Sequence, residues 1–291
     1  MSWRTVVITG NAKLDYKMDY MVVRKSDMTT RIYIGEIGML IIESTAISLT
    51  TMLLSELTKH KIKIVFCDEK HNPQSELIPY YGSHDTSAKV REQIKWNQEK
   101  KSLIWTEIVA EKIRKQADLL RVFHKKEADQ LDTYITELQY GDATNREGHA
   151  AKVYFNALFG LDFSRTDENS INAALNYGYG IILSVFNREI VSNGYITQLG
   201  LFHDNMFNQF NLGSDLMEPF RPLVDRKVIV MKPEKFETDE KHQILEILQE
   251  EVVIGGRTEY VSNAIKLYCK SIFDALRDND VSLMKFYSFE L

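Results

Sequence analysis

The hydrophobic and polar positions of this chain follow two periods, and the change falls near residue 82. Before it, short apolar or β-branched runs alternate with turn residues, at 5–9, 20–24, 30–34, 39–42, 63–66 and 76–80. Gly10, Asn11, Gly35 and Gly38 punctuate them, and runs so bounded predict strands. One helix interrupts this series, because Leu49, Met52, Leu53 and Leu57 keep helical spacing between residues 44 and 60. Beyond residue 85 the period is helical in segments near 86–125, 125–139, 144–159, 170–191, 215–231, 239–251 and 258–278. The pattern predicts an α+β protein with a small β-rich domain over 1–80, a linker over 81–86 and a larger α-helical domain over 87–291. The stretch 281–291 carries Phe286, Tyr287, Phe289 and Leu291, enough apolar surface to dock as a tail.

Composition narrows the setting. Apolar residues at 44% and charged residues at 26% are those of a soluble globular chain. The two cysteines, Cys67 and Cys269, are far apart, which argues against a disulfide framework or a thiolate zinc site and suits a reducing cytosol. The first ten residues are too soon interrupted for a signal peptide, and no apolar run approaches the roughly 20 residues that span a bilayer. A cytoplasmic protein with no membrane partner is expected. Net charge is −5, yet residues 86–126 hold eleven basic and five acidic residues, a local +6 that leaves −11 elsewhere. Such a segment either meets phosphates or is a solvated helix kept soluble by its lysines.

Three stretches carry candidate chemistry. In 144–155, Thr144 and Glu147 have capping-box spacing, the structural account of that glutamate, while His149 points to another side of the helix. Gly148 beside a cap costs about 1 kcal/mol relative to alanine, so something is expected to approach the backbone there. In 170–180, polar residues and glycines interrupt an apolar helix. Either Gly178 and Gly180 mark close helix contact, or Asn172, Asn176 and Tyr177 serve a polar centre as hydrogen-bond donors. The third stretch is 203–225, where Gly213 and Ser214 read as a helix start with Ser214 as N-cap. There Asp215 and Glu218, three apart, share one face of a first turn near the positive end of the helix dipole. With His203 nearby they make a plausible hard-metal site, although Glu218 also has Arg221 three residues on as an ion-pair partner. Motifs for acyl transfer and nucleotide hydrolysis are absent from the sequence.

The combination of Arg146-Glu147-Gly148, Leu175-Asn176-Tyr177-Gly178-Tyr179, Gly200-Leu201-Phe202-His203 and the block from Asp215 through Glu218-Pro219-Phe220-Arg221-Pro222 to Asp225 resembles the CRISPR-associated Cas1 family. The resemblance extends over nearly the whole chain and is strongest to forms whose effector is a single RNA-guided nuclease. It implies a metal-dependent DNA integrase and endonuclease of spacer acquisition. It places the catalytic and metal-ligating positions on Glu147, His203 and Glu218, with Asp215, Asn176 and Tyr177 auxiliary. Many relatives carry aspartate as third ligand, so Glu218 is a departure that keeps the charge and adds one methylene. The implied cofactor is Mg²⁺ or Mn²⁺. The implied partners are double-stranded DNA, a second copy through the N-terminal domain, and a small ferredoxin-like Cas2 in a heterohexamer, with further adaptation proteins and the effector nuclease as additional associates. Arg146 and Arg221 are expected at phosphates, and the stretch from Lys89 through Arg91 and Lys95 to Lys126 at a duplex. The same residues also admit a non-catalytic DNA-binding scaffold or a general metal-dependent repair nuclease.

Overall fold

The computed structural model describes residues 4–79 and 83–289 and divides the chain into two compact units, 1–84 and 85–291. The expected boundary at Gly82 lies outside the described residues.

The first unit contains β1 (Arg4–Ile8), β2 (Ala12–Lys17), β3 (Tyr20–Arg24), β4 (Thr29–Tyr33), β5 (Ile37–Ile42), β6 (Ile47–Leu49), α1 (Thr51–Lys59), β7 (Lys63–Cys67) and β8 (Pro73–Leu77). One sheet has the order β1-β5-β7-β8, parallel except for β8, and the other has the order β4-β3-β2-β6. Strand β5 is apolar almost throughout because both faces are covered, whereas β4 buries only Ile32 deeply. Leu14, Met21, Ile37, Leu40, Leu53, Leu57 and Ile64 form one core shared by both sheets and α1. Two expectations need correction. The helix expected over 44–60 begins only at Thr51, where Thr50 accepts from the Leu53 amide as N-cap, and residues 47–49 are the strand β6. Strand β2 was not anticipated, since Lys13, Asp15 and Lys17 alternate with inward residues and hide its apolar count.

The second unit contains α2 (Thr86–Ile94), α3 (Gln98–Val122), α4 (Ala128–Thr136), α5 (Arg146–Phe159), α6 (Ser170–Ser192), α7 (Asn211–Leu216), α8 (Arg221–Met231), α9 (Thr238–Leu245), β9 (Glu251–Ile254), β10 (Arg257–Tyr260), α10 (Val261–Asp278) and β11 (Tyr287–Ser288). Helix α6 is buried along most of its length, the pattern of a central helix. The domain expected to be wholly helical also carries a small sheet of order β10-β9-β11. Its strands are too short for alternation to register, and the apolar tail enters it as β11. Tyr287 there is fully buried and its hydroxyl donates to the Pro219 carbonyl at 3.1 Å. The expected helix over 215–231 is instead α7, a 3₁₀ turn at Glu218–Phe220 and α8. Ser214 is therefore no N-cap, and Asp215 lies near the end of α7 and not on a first turn. Among the described residues no helix is long and apolar enough to cross a membrane.

Candidate functional site

Helix α3 forms the floor of the site through Trp105, Lys112 and Gln116, spaced seven and four residues apart and so placed along one side. Lys112 is almost fully buried. Its Nζ lies 2.5 Å from Glu147 Oε1 on α5 and 2.5 Å from Glu218 Oε2 on the 3₁₀ turn. Burial works against the ammonium, but Glu218 and then Glu147 outweigh it and hold its pKa above that of ordinary lysine. Burial likewise pushes the Glu218 carboxyl up, while Arg221 and then Lys112 bring it below the usual carboxylate range.

Glu147 is free for this contact because it does not cap its own helix. The expected capping box is absent. Asn145, in the left-handed region at φ 52°, is the N-cap and accepts from the Gly148 amide at 3.3 Å. Asp142 accepts from the Arg146 and Glu147 amides at 2.6 and 3.1 Å. What approaches Gly148 is that cap itself, since a Cβ there would meet the Asn145 side chain at 2.8 Å. His149 contacts Arg146 and the Tyr134 ring.

His203 follows α6 on an irregular stretch that is organised by Asp215. The buried Asp215 carboxylate accepts from the amides of Leu201, Phe202 and His203 at 2.6, 3.1 and 3.1 Å, and its Oδ1 lies 2.5 Å from His203 Nδ1. A carboxylate at that nitrogen keeps its proton on Nδ1 and leaves Nε2 as the lone-pair nitrogen of the neutral ring. The hydrogen bond to Asp215 raises the His203 pKa, burial opposes it, and the charges of Asp215, Glu218 and Glu147 add to the rise. Gly200 lets the loop close, because a Cβ there would stand 2.7 Å from Asp215 Oδ2. Trp105 stacks on Phe202 at 4.7 Å and meets the His203 ring edge-on at 5.9 Å.

Lys112, Gln116, Glu147, Phe155, Arg165, Tyr179, Glu218, Arg221 and Asp225 line a cavity of about 230 Å³. Arg221 donates from Nε to Glu218 Oε1 at 2.9 Å and stacks over Tyr179 at 4.6 Å. The hydroxyls of Tyr179 and Tyr154 both donate to the buried Asp225, with Tyr154 at 2.8 Å. Burial raises the Asp225 carboxyl to about 6 against those two hydrogen bonds.

The structure thus brings together Glu147, Glu218, Arg221 and, with Asp215, His203. Other expected site residues lie apart. Asn176 accepts from Arg165 at 2.7 Å, as Asn172 also does, and the Asn172 amide donates to the Ser164 and Asp167 carbonyls at 2.8 and 2.9 Å, so both asparagines meet the cavity through that arginine. Tyr177 packs on Phe236, and Tyr179, two residues on, is the tyrosine of the cavity. Gly178 does mark close packing against Val224, but a Cβ at Gly180 would meet open space. Arg146 pairs with Glu137 at 3.0 Å and lies over Tyr134. Lys89 pairs with Glu92, while Arg91 and Lys95 are exposed at the end of α2. The basic stretch is not one surface, since Lys112 and Lys115 point inward to Glu147, Glu218 and Glu111. Lys112, Trp105 and Arg165 were missed. For Lys112 the signal was its place in the apolar stripe of Ile104, Ile108 and Ile113.

Two carboxylates and an imidazole of this kind suit a hard divalent cation, and the Lys112 ammonium stands as a cation between the carboxylates. Glu218 Oε2 is buried and receives no well-directed hydrogen bond despite the close ammonium, an acceptor with coordination to spare. Among the described residues no three His, Cys, Asp or Glu side chains close on one metal position as they stand. The donors fit in kind, with the lysine between them.

A β-rich unit followed by a helical unit, with Glu147 and Glu218 closed on a buried lysine, defines a two-part α+β protein. The family model for the CRISPR associated protein Cas1 matches residues 5–254, and the chain belongs to that family. It is 35% identical over 230 residues to a CRISPR-associated endonuclease Cas1 from Neisseria meningitidis, covering 79% of this chain and 76% of that one. Its fold is similar to that of a Cas1 protein from Thermotoga maritima, with TM-score 0.76, 20% identity and coverage of 94% and 97% of the two chains. It is also similar to a casposase bound to integration product, with TM-score 0.78, 19% identity and coverage of 97% and 92%.

Proposed function

We propose that this chain is a metal-dependent DNA integrase and endonuclease of CRISPR adaptation, joining the 3′ hydroxyl ends of a captured fragment to the repeat by transesterification. The observation that carries this reading is the convergence of Glu147 and Glu218 on one buried cation, beside a histidine fixed by Asp215. The relative named above as an endonuclease, and the casposase fold, support it.

In this reading Glu147, His203 Nε2 and Glu218 hold Mg²⁺ or Mn²⁺. Such an ion, when bound, polarises the attacked phosphate and lowers the pKa of an attacking hydroxyl. Asp215 sets the ring and tautomer of His203, Arg221 holds Glu218, and the Tyr154–Asp225–Tyr179 bridge holds the surface on which Arg221 stacks. Arg221 and Arg165 face the cavity with guanidinium groups suited to phosphate oxygens. Arg91 and Lys95 are assigned to the duplex backbone. We assign the chain to a homodimer through its N-terminal unit that joins a Cas2 dimer; the similar fold of a chain in a Cas6-RT-Cas1–Cas2 complex supports the Cas2 partnership.

A strand-transfer assay tests the reading. The protein and its small partner are mixed with a short duplex and a plasmid bearing a repeat, with Mn²⁺ or EDTA. Half-site products are expected with Mn²⁺ and none with EDTA. Glu147→Ala, His203→Ala and Glu218→Ala are each expected to abolish them while DNA binding is kept. Activity surviving in any one variant removes that residue from the site.

A further inference from the structure

The lysine between the two carboxylates has no part in the chemistry described above, and its surroundings are unusual. Lys112 is 7% exposed, and its ammonium touches both acidic groups at 2.5 Å. A buried pair of carboxylates without a cation would repel and lose solvation, so the ammonium keeps them together. It also blocks them: no divalent cation can sit between Glu147 and Glu218 while Nζ is there. One helical turn further along α3, Gln116 Oε1 is buried, lines the same cavity and accepts no hydrogen bond. Residues four apart on a helix are neighbours, so this carbonyl is within reach of a displaced lysine side chain. Asp225 lines that cavity as well.

We propose that Lys112 is a positioning residue with two stations. In the metal-free protein it bridges Glu147 and Glu218 as an internal counter-ion. When the dication arrives, the ammonium gives up the carboxylates and moves into the cavity, where Gln116 Oε1 accepts from it. This rests on the metal reading of Glu147 and Glu218 and adds to it that lysine and dication are mutually exclusive ligands of one carboxylate pair. Binding of the metal is then weakened by the cost of expelling the lysine, and the carboxylates are pre-set for it.

Mn²⁺ binding, followed by the electron paramagnetic resonance signal of the free ion, tests this without an activity assay. Lys112→Met is expected to bind Mn²⁺ about tenfold more tightly than wild type, within the usual range for two ligands that exclude each other. Its metal-free melting temperature is expected to fall, and added Mn²⁺ to restore more of it than in wild type. Lys112→Arg, which keeps the cation, is expected to restore the metal-free stability without the tenfold gain. Gln116→Leu is expected to weaken Mn²⁺ binding several-fold, since the second station has lost its acceptor. If Lys112→Met does not fold, Lys112→Gln, neutral but still able to donate to the carboxylates, carries the same expectation of tighter binding. Glu218→Gln separates the two readings. If that variant loses the ion while Lys112→Met binds it no better than wild type, the two-station lysine is overturned and the metal site stands. If wild type and Lys112→Met both bind no ion, both are overturned.

Discussion

Two buried aspartates of the site are treated in opposite ways by their surroundings. Asp215 receives three amide donors and the His203 ring, so its negative charge is fully solvated by the protein. Asp225 receives only two tyrosine hydroxyls, and burial raises it from 3.8 to about 6. The sign of the consequence follows from proton counting. A carboxyl with a raised pKa binds its proton more tightly in the folded state, so its contribution favours folding below pH 4 and is lost as pH rises through 6. A rise from 3.8 to about 6 corresponds to about 3 kcal/mol across that pH range. Urea unfolding at pH 4 and pH 7 is therefore expected to differ between wild type and Asp225→Asn, with this component of the pH dependence missing in the variant. Equal pH dependence in both would place the titration elsewhere.

At the scale of elements, the site depends on how closely α6 and α8 approach. A Cβ on Gly178 would overlap Val224, and Val224 shares α8 with Arg221 and Asp225. Gly178→Ala is expected to cost about 1–3 kcal/mol, the range for an overpacked core, measured by denaturant midpoint. Adding Val224→Ala should recover part of that loss, and strictly additive costs would refute the contact. What could be read in the sequence has the same origin. Long helices with repeated apolar spacing, such as α6 and α10, were legible, as was the Glu218–Arg221 pair, because both are local. The partners of Glu147 were not, since Lys112 lies 35 residues away and its charge reads as solvent-facing until α3 is placed. Short strands β6, β9, β10 and β11 were also illegible, because two to four residues do not display a period. The helix break after Leu216 is illegible for another reason: proline is compatible with the start of a helix as well as with a break, and Pro219 sits in the 3₁₀ turn that brings Glu218 to Lys112.

Across the second unit as a whole, the last described segment is part of the support of the site. Strand β11 covers the edge of β9, and Tyr287 packs on Phe220 at 4.7 Å while bonding the carbonyl next to Glu218. Removing residues 285–291 deletes a buried aromatic worth about 3–5 kcal/mol and exposes a strand edge. Calorimetry is expected to show the helical unit melting on the order of 10 °C lower, at about 2–4 °C per kcal/mol for a unit of this size. A transition left unmoved would mean that the tail is dispensable to the core.

The clasp of Asp215 on residues 201–203 has a consequence in time as well as in space. These three amides lie outside any helix or strand, where exchange with solvent deuterium is ordinarily fast. Because each is closed onto a carboxylate with no exposure, they should exchange as slowly as amides in a helix interior. Met206 and Phe207, only three and four residues past the histidine, are almost fully exposed. Exchange should therefore quicken within a few residues, because the amides of Phe207 and Asn208 are held by local contacts to Asn205 in an exposed turn, so that the histidine is anchored on a slower timescale than the segment after it.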